Sequence, residues 1–200
     1  MPIKIFLQLY GAFIMLLVLQ SFVVESSSDV IVRSVSGEVI WGANYTIYIG
    51  KTPLTYGFES TSPMPSGLNP EDVTSVMDAA FQKWQDAVPE FAFQRVYPGE
   101  NADIKISFTT LSNDLYGYGY YPPDGRLHLD IDHSYWSTKS YPAQNENDLL
   151  SCAMHEIGHT LGLHHTNDQS AVMYPTLYIA DIKRELNQED IDRIQSLYYY

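Results

Sequence analysis

The sequence predicts a single domain of the α/β or α+β class, in which helices pack beside a sheet. Short segments with alternating apolar residues, such as residues 54–58 and 103–108, are typical of strands. Residues 69–88 instead carry apolar side chains at three- and four-residue spacing, which indicates an amphipathic helix. Strands follow one another without regular βαβ alternation. No repeat or long linker interrupts residues 29–200 of this 200-residue chain, so we expect one domain there.

Five segments are predicted to form strands. They are residues 54–58, 91–97, 103–108, 116–121 and 127–131. The last two are joined by the sequence Pro-Pro-Asp-Gly at residues 122–125, which favours a turn.

Three helices are predicted. The first has Asn69 as its N-cap and Pro70 at its first position, and Pro89 ends it. A second helix is expected over residues 148–161, and a third after Asn187. The face of the first helix that we expect to be buried consists of Val73, Val76, Met77, Ala80, Phe81 and Trp84. The third helix should bury Ile191, Ile194 and Leu197.

Residues 1–28 are typical of a secretory signal peptide. Lys4 precedes an apolar run over residues 5–19, and small polar residues follow at residues 26–28. A retained signal anchor is the alternative, because the apolar run continues weakly through residues 22–24. No later segment is long and apolar enough to span a bilayer, so we expect a secreted, extracellular protein.

The composition excludes several classes of partner. A net charge of −13 argues against nucleic acid and against an anionic membrane surface, both of which attract basic proteins. Cys152 is the one cysteine, so an internal disulfide is excluded. Asn44 begins an Asn-Tyr-Thr sequon and is a candidate N-glycosylation site.

The segment His-Glu-Ile-Gly-His at residues 155–159 points to metal chemistry. On a helix, His155 and His159 lie one turn apart and face the same way, so both imidazoles can bind one ion. Gly162 can adopt a positive φ and end the helix, which allows His165 to return as a third ligand. Three protein ligands leave a position open for water, as in a catalytic zinc site.

Glu156 is offset by about 100° from His155 on the same helix. It is therefore predicted to lie beside the ion as a general base, taking a proton from zinc-bound water during attack on a peptide carbonyl. His164 is one residue short of the third-ligand position. We expect it either to be exposed or to contact one of the metal-binding histidines.

The pattern H-E-x-x-H-x-x-G-x-x-H, followed by a methionine turn, resembles the metzincin proteases. Met173, in the string Ala-Val-Met-Tyr-Pro at residues 171–175, is similar to that turn. Thr166 after the third histidine and the Val-Met-Tyr-Pro string resemble the matrixins among them. The resemblance covers most of residues 52–199, and residues 124–130 and 148–150 are most similar to plant-type matrixins.

The resemblance implies a twisted five-stranded mixed sheet with three helices and a catalytic zinc in a cleft below the edge strand. By that likeness residues 116–120 form the edge strand, which pairs with an extended protein or peptide substrate. The residues implied to line the substrate pocket are Tyr116, Gly117, Cys152, Tyr174, Pro175 and Tyr178.

Three features depart from the matrixin pattern. Matrixins carry a pro-segment whose cysteine blocks the zinc, whereas residues 1–51 contain no cysteine. His128 resembles one ligand of a second, structural zinc, but Tyr118 replaces its partner, so we expect no second zinc. Asp103 and Asp130 resemble calcium ligands, and calcium binding at either is an open alternative to a purely structural role.

The sequence therefore predicts a secreted, monomeric zinc endopeptidase. The alternative is a secreted relative that keeps the metal site and acts as a binding module. Glu156 favours the enzyme, because a module that only binds metal has no need of it.

Overall fold

The computed structural model describes residues 53–88, 92–112, 115–132 and 135–198. The predicted signal peptide over residues 1–28, the Asn44 sequon and Pro89 lie outside the described residues. The elements are, in chain order, β1 (Leu54–Phe58), α1 (Pro70–Ala87), β2 (Phe93–Arg95), β3 (Ile104–Thr109), β4 (Gly117–Gly119), β5 (Arg126–Asp130), β6 (Trp136–Ser137), β7 (Asn147–Asp148), α2 (Leu149–Thr160) and α3 (Gln188–Tyr198).

Five of the strands form one mixed sheet in the order β2-β1-β3-β5-β4. The first four strands in this order run parallel, and β4 pairs antiparallel with β5 at the edge. The predicted five-stranded mixed sheet with three helices is therefore confirmed. In the part of the chain that the structure describes, none of the helices combines the length and apolarity that crossing a bilayer requires.

Helix α1 forms as its sequence predicts. The Asn69 side chain accepts a hydrogen bond from the Glu71 N–H at 2.9 Å, and Pro70 begins the helix. Its apolar face is buried against the sheet and α2, where the Phe81 and Tyr56 rings stack with centroids 3.8 Å apart. The Trp84 indole N–H donates to the Met154 carbonyl of α2 at 2.9 Å, so α1 and α2 share a polar contact within the core.

Several predicted boundaries were wrong. Strand β4 ends at Gly119 rather than at Tyr121, because residues 121–124 form a turn in which Asp124 N–H donates to the Tyr121 carbonyl. Strand β2 covers Phe93–Arg95 rather than residues 91–97. The sequence did not predict the pair β6 and β7, since two residues per strand are too few for an alternating pattern. In α3, Ile194 alone of the three predicted core residues is fully buried.

Helix α2 lies directly against β4 because two residues of that strand have no side chain. A Cβ added at Gly119 would lie 2.3 Å from the carbonyl oxygen of Glu156 and 2.8 Å from the His159 Cβ. One added at Gly117 would lie 2.6 Å from the Glu156 Cγ. Two glycines in the edge strand therefore set the distance between that strand and the helix.

We predict that Gly119→Ala lowers the free energy of unfolding by about 1–3 kcal/mol, the usual cost of overpacking a closely packed contact. The methyl group would contact helix backbone, which cannot rotate away as a side chain can. Urea unfolding of the two proteins measures the difference. An unchanged midpoint and slope would contradict the close approach of α2 to β4.

Candidate metal centre and active site

Both ends of α2 are defined by side-chain and turn chemistry. Asp148 caps the start, where its carboxylate accepts from the Ser151 N–H at 3.0 Å. At the other end Gly162 has a φ of 102°, and the N–H groups of Gly162 and Leu163 donate back to His159 and Gly158. This is a Schellman turn, and it confirms the predicted role of Gly162 in reversing the chain after the helix.

The chain reversal brings His165 beside the two helical histidines. The Nε2 atom of His165 lies 3.1 Å from that of His155 and 3.2 Å from that of His159. The ligand atoms of all three lie within 4.8 Å of one another. The structure therefore brings together the three residues that the sequence predicted as metal ligands.

Backbone carbonyls orient two of these rings. The His155 Nδ1 lies 2.7 Å from the Val172 carbonyl oxygen, and the His159 Nδ1 lies 2.7 Å from that of Leu163. Because a carbonyl can only accept, each Nδ1 carries the proton and each Nε2 presents a lone pair. Such support by the backbone is typical of metal-binding histidines.

Burial keeps both rings neutral. It lowers the pKa of His155 to about 4 and holds the pKa of His159 well below its usual range; neighbouring histidines add to both effects. The Nε2 lone pairs of His155 and His159 cannot hydrogen-bond to each other, and a cation between them and the Nε2 of His165 would satisfy all three nitrogens at once. The donor set is therefore suited to a zinc ion, which prefers nitrogen ligands in this number at catalytic sites.

Met173 packs against α2 at Gly158, the residue before His159, and its role as the methionine turn of the resemblance stays a prediction. It is fully buried, and a Cβ added at Gly158 of α2 would lie 2.3 Å from its sulfur. Its carbonyl accepts from the Thr166 N–H at 3.0 Å, which ties the turn to the residue after His165.

A buried carboxylate that sequence reasoning missed holds this turn. Asp190 is fully buried in the first turn of α3 and accepts from the N–H groups of Val172 at 2.8 Å and Met173 at 3.1 Å. It also accepts from the Asn187 N–H at 3.1 Å. In the sequence Asp190 looks like any acidic residue in the first turn of a helix, and its N–H partners lie 17 and 18 residues earlier in the chain. No local pattern therefore signals this role.

Glu156 lies on α2 next to the histidine cluster and beneath the edge strand. It is 6% exposed, and a Cβ added at Gly117 of β4 would lie 2.7 Å from its carboxylate Oε1. The Tyr116 carbonyl accepts from Asp130 N–H and the Tyr120 N–H donates to the Arg126 carbonyl, so the N–H and C=O groups of the alternate residues Gly117 and Gly119 point away from β5. The carboxylate and these outward backbone groups thus lie at the same edge of the sheet.

The residues implied to line a substrate pocket differ in exposure. Tyr178 is 67% exposed, and Pro175 is exposed beside it, whereas Cys152 is 3% exposed and belongs to the core. Burial raises the pKa of the Cys152 thiol well above its usual value, so the group is a neutral apolar side chain. Tyr116 packs against the core, edge-on to Trp136. Whether these residues contact a substrate stays a prediction.

The predicted calcium residues both have protein partners. Asp103 accepts from the N–H and the hydroxyl of Thr55, each at 2.8 Å, and joins the starts of β1 and β3. Asp130 is fully buried and accepts from the Leu111 N–H at 3.2 Å. Calcium binding at either residue stays a prediction, as does the expectation of a single zinc.

His164 has a specific partner that the sequence did not suggest. Its Nδ1 lies 2.8 Å from the Tyr121 hydroxyl, and the Tyr121 ring meets the His159 ring edge-on at 5.6 Å. Tyr121 follows β4 in the turn before β5, so long-range packing alone brings the two together. His164 is half-buried, and Tyr121 links it to His159, one of the three predicted metal ligands.

Two histidines on a helix beside the edge strand of a mixed sheet, a third histidine after the turn that ends this helix, and a methionine packed against it are the features of the metzincin class of domain. Comparison with known families places the chain within that class. Residues 48–199 match the matrixin family model, and the chain belongs to the matrixin family.

Curated relatives come from plants and animals. The chain is 40% identical over 164 residues to Metalloendoproteinase 1 of Glycine max, covering 74% of this chain and 51% of the relative. It is 34% identical over 173 residues to Metalloendoproteinase 1-MMP of Arabidopsis thaliana, covering 78% and 47%. Macrophage metalloelastase of Oryctolagus cuniculus is 34% identical over 180 residues, covering 83% and 35%. The chain thus spans about half the length of these plant relatives.

We predict that Asp190→Ala weakens zinc binding by about 10- to 100-fold, the usual effect of removing a group that supports metal ligands. The change leaves the N–H groups of Val172 and Met173 without their acceptor, and the Val172 carbonyl orients His155. Competition with a fluorescent chelator measures the affinity. Asp192→Ala, on the exposed face of the same helix, is the control and should bind zinc as tightly as the original protein.

We also predict that the metal-free protein loses stability between pH 6.5 and 5. Unfolding returns the pKa of His155 from about 4 to about 6.5, so in this window the unfolded chain binds a proton that the folded chain does not. The free energy of unfolding should therefore fall by about 1–2 kcal/mol for this histidine as the pH falls. Urea unfolding in chelator checks this, and His155→Asn should reduce the slope.

Proposed function

We propose that this protein is a secreted zinc endopeptidase in which Glu156 is the general base. The observation that carries the proposal is the convergence of the three Nε2 atoms at α2, the helix whose Glu156 carboxylate lies against Gly117 of an edge strand with outward backbone groups. The curated relatives are metalloendoproteinases by name, which supports the same reaction.

His155, His159 and His165 would hold the ion. A zinc ion with three nitrogen ligands lowers the pKa of a coordinated water to about 7 and polarises a carbonyl. Glu156 is one residue from His155 and so lies beside the ligands without joining them. From there its carboxylate accepts a proton from the attacking water and passes it to the departing amine.

Strand β4 would hold the substrate. An extended peptide that runs antiparallel to β4 can hydrogen-bond with the outward N–H and C=O groups of Gly117 and Gly119. Because no side chain separates these groups from α2, the peptide backbone would lie close to Glu156. Substrate binding by backbone groups favours protein and peptide substrates over small molecules.

Secretion is part of the proposal and rests on the signal-like residues 1–28. The alternative, an inactive relative that binds without cleaving, would need neither the buried carboxylate of Glu156 nor its position at the edge strand. We therefore favour the enzyme.

We predict that Glu156→Gln reduces kcat for cleavage of a quenched fluorescent peptide by about 10²- to 10⁴-fold, since amide nitrogen and oxygen cannot take the proton. Zinc content should stay at the original value, because the three ligands are unchanged. The peptide carries leucine after the cleaved bond, and a chelator should also abolish cleavage.

Glu71→Gln, at the exposed start of α1, is the matched control and should cleave like the original protein. A folded original protein that contains one zinc and cleaves no peptide would favour the binding module. Full activity of Glu156→Gln would refute the role of this residue as the base.

A further inference from the structure

The Tyr121 side chain follows two glycines on the face of β4 that meets α2. Alternate residues of a strand share a face, and Gly117 and Gly119 place no side chain on this one. Two residues further on, the Tyr121 ring meets the His159 ring edge-on, with centroids 5.6 Å apart, and lies 4.7 Å from the His164 ring. The edge of the sheet therefore contacts a predicted metal ligand through this tyrosine.

The backbone around Tyr121 is fixed by the turn between β4 and β5. The Tyr121 carbonyl accepts from the Asp124 N–H at 3.1 Å. The Asp124 carboxylate pairs in turn with the Arg126 guanidinium of β5, whose Nε donates at 2.7 Å and whose Nη2 donates at 2.9 Å. The position of the tyrosine is thus set by the sheet and its turn.

The Tyr121 hydroxyl joins this turn to the segment that follows α2. It lies 2.8 Å from the Nδ1 of His164, which is a hydrogen-bond distance, and both side chains are half-buried. A hydroxyl can donate or accept, so it complements either tautomer of the imidazole.

His164 lies between two groups that serve the metal centre. The carbonyl of Leu163, the residue before it, lies 2.7 Å from the His159 Nδ1 and orients that ring, while His165, the residue after it, is the third predicted ligand. Residues 163–165 belong to neither a helix nor a strand, so their position depends on the contacts that they make. A displacement of His164 would therefore move the Leu163 carbonyl and His165 together.

Backbone hydrogen bonds hold the two ends of this segment. The Leu163 N–H donates to the Gly158 carbonyl at 2.9 Å, and the Thr166 N–H donates to the Met173 carbonyl at 3.0 Å. Tyr121 contacts the middle of the segment, and it does so from the sheet. Its hydroxyl therefore adds an attachment on a side that these backbone bonds do not reach.

We propose that Tyr121 is a positioning residue for the metal centre: its hydroxyl, bonded to His164, holds His165 and the Leu163 carbonyl where zinc binding requires them. This inference goes beyond the proposed function, because it concerns how tightly the metal is held and not the cleavage of peptides. It gives the turn after the edge strand a part in metal binding.

Tyr121→Phe tests the inference, because it removes the hydroxyl and leaves the ring against His159. Zinc affinity, measured by competition with a fluorescent chelator, should fall at least about tenfold, as is usual when a group that supports metal ligands is removed. Zinc should also transfer to the chelator faster. The visible absorption spectrum of the cobalt-loaded protein should change, since it reports the geometry of the ligands.

Two variants of the histidine test the partner. His164→Ala should weaken zinc binding by a similar factor, and adding Tyr121→Phe to it should cause little further loss, since both changes remove the same contact. His164→Asn should keep most of the affinity, because the asparagine amide can also hydrogen-bond to the hydroxyl.

Tyr120→Phe is the matched control. It is the same chemical change one residue earlier, on the opposite face of β4, where the ring meets Tyr118 and His128. This variant should bind zinc as tightly as the original protein. Urea unfolding of each metal-free protein shows that it is folded under the assay conditions, so that a weaker affinity reports on the site and not on the fold.

Unchanged zinc affinity and an unchanged cobalt spectrum in Tyr121→Phe would overturn the inference, as would an equal loss of affinity in Tyr120→Phe or additive losses in the double variant. If His164→Ala does not fold, the comparison of Tyr121→Phe with Tyr120→Phe decides. An original protein that binds zinc and cleaves no peptide would instead contradict the proposed function alone.

Discussion

The close contact between α2 and the edge strand β4 is the constraint on which the site depends. Glycine at positions 117 and 119 lets the backbone of Glu156 and the Cβ of His159 lie where side chains would otherwise be. A wider separation would move the helix that carries two of the histidines away from the strand edge. The contact is made at the edge of the sheet, where β4 is the strand next to α2.

The remaining geometry of the site comes from backbone groups held by turns. The carbonyls of Leu163 and Val172 each orient one imidazole, and each belongs to a turn rather than to a helix or strand. The first turn is set by the positive φ of Gly162, and the second by the carboxylate of Asp190. Turns are normally variable, so each of these two needs its own fixation. Glycine provides it for the first turn, and a buried carboxylate with three N–H donors provides it for the second.

Local patterns in the sequence were enough to predict α1, the sheet strands and the metal-binding histidines. Spacing along one helix predicts that His155 and His159 face the same way, since a helix has a fixed period. Asp190 could not be predicted in the same manner, because its role depends on N–H groups that lie 17 and 18 residues earlier in the chain. The pairing of Tyr121 with His164 spans 43 residues and follows from packing alone.

The alternation of glycine and tyrosine over residues 117–120 reflects the two faces of β4. A three-residue strand with two glycines is weakly held, since glycine packs little surface and orders at a high entropic cost. The opposite face supplies the missing contacts: the ring of Tyr120 meets Tyr118 at 4.7 Å and His128 at 5.4 Å, and the Arg126 guanidinium lies 4.0 Å above it. Side chains on one face thus stabilise the strand, and their absence on the other admits the helix.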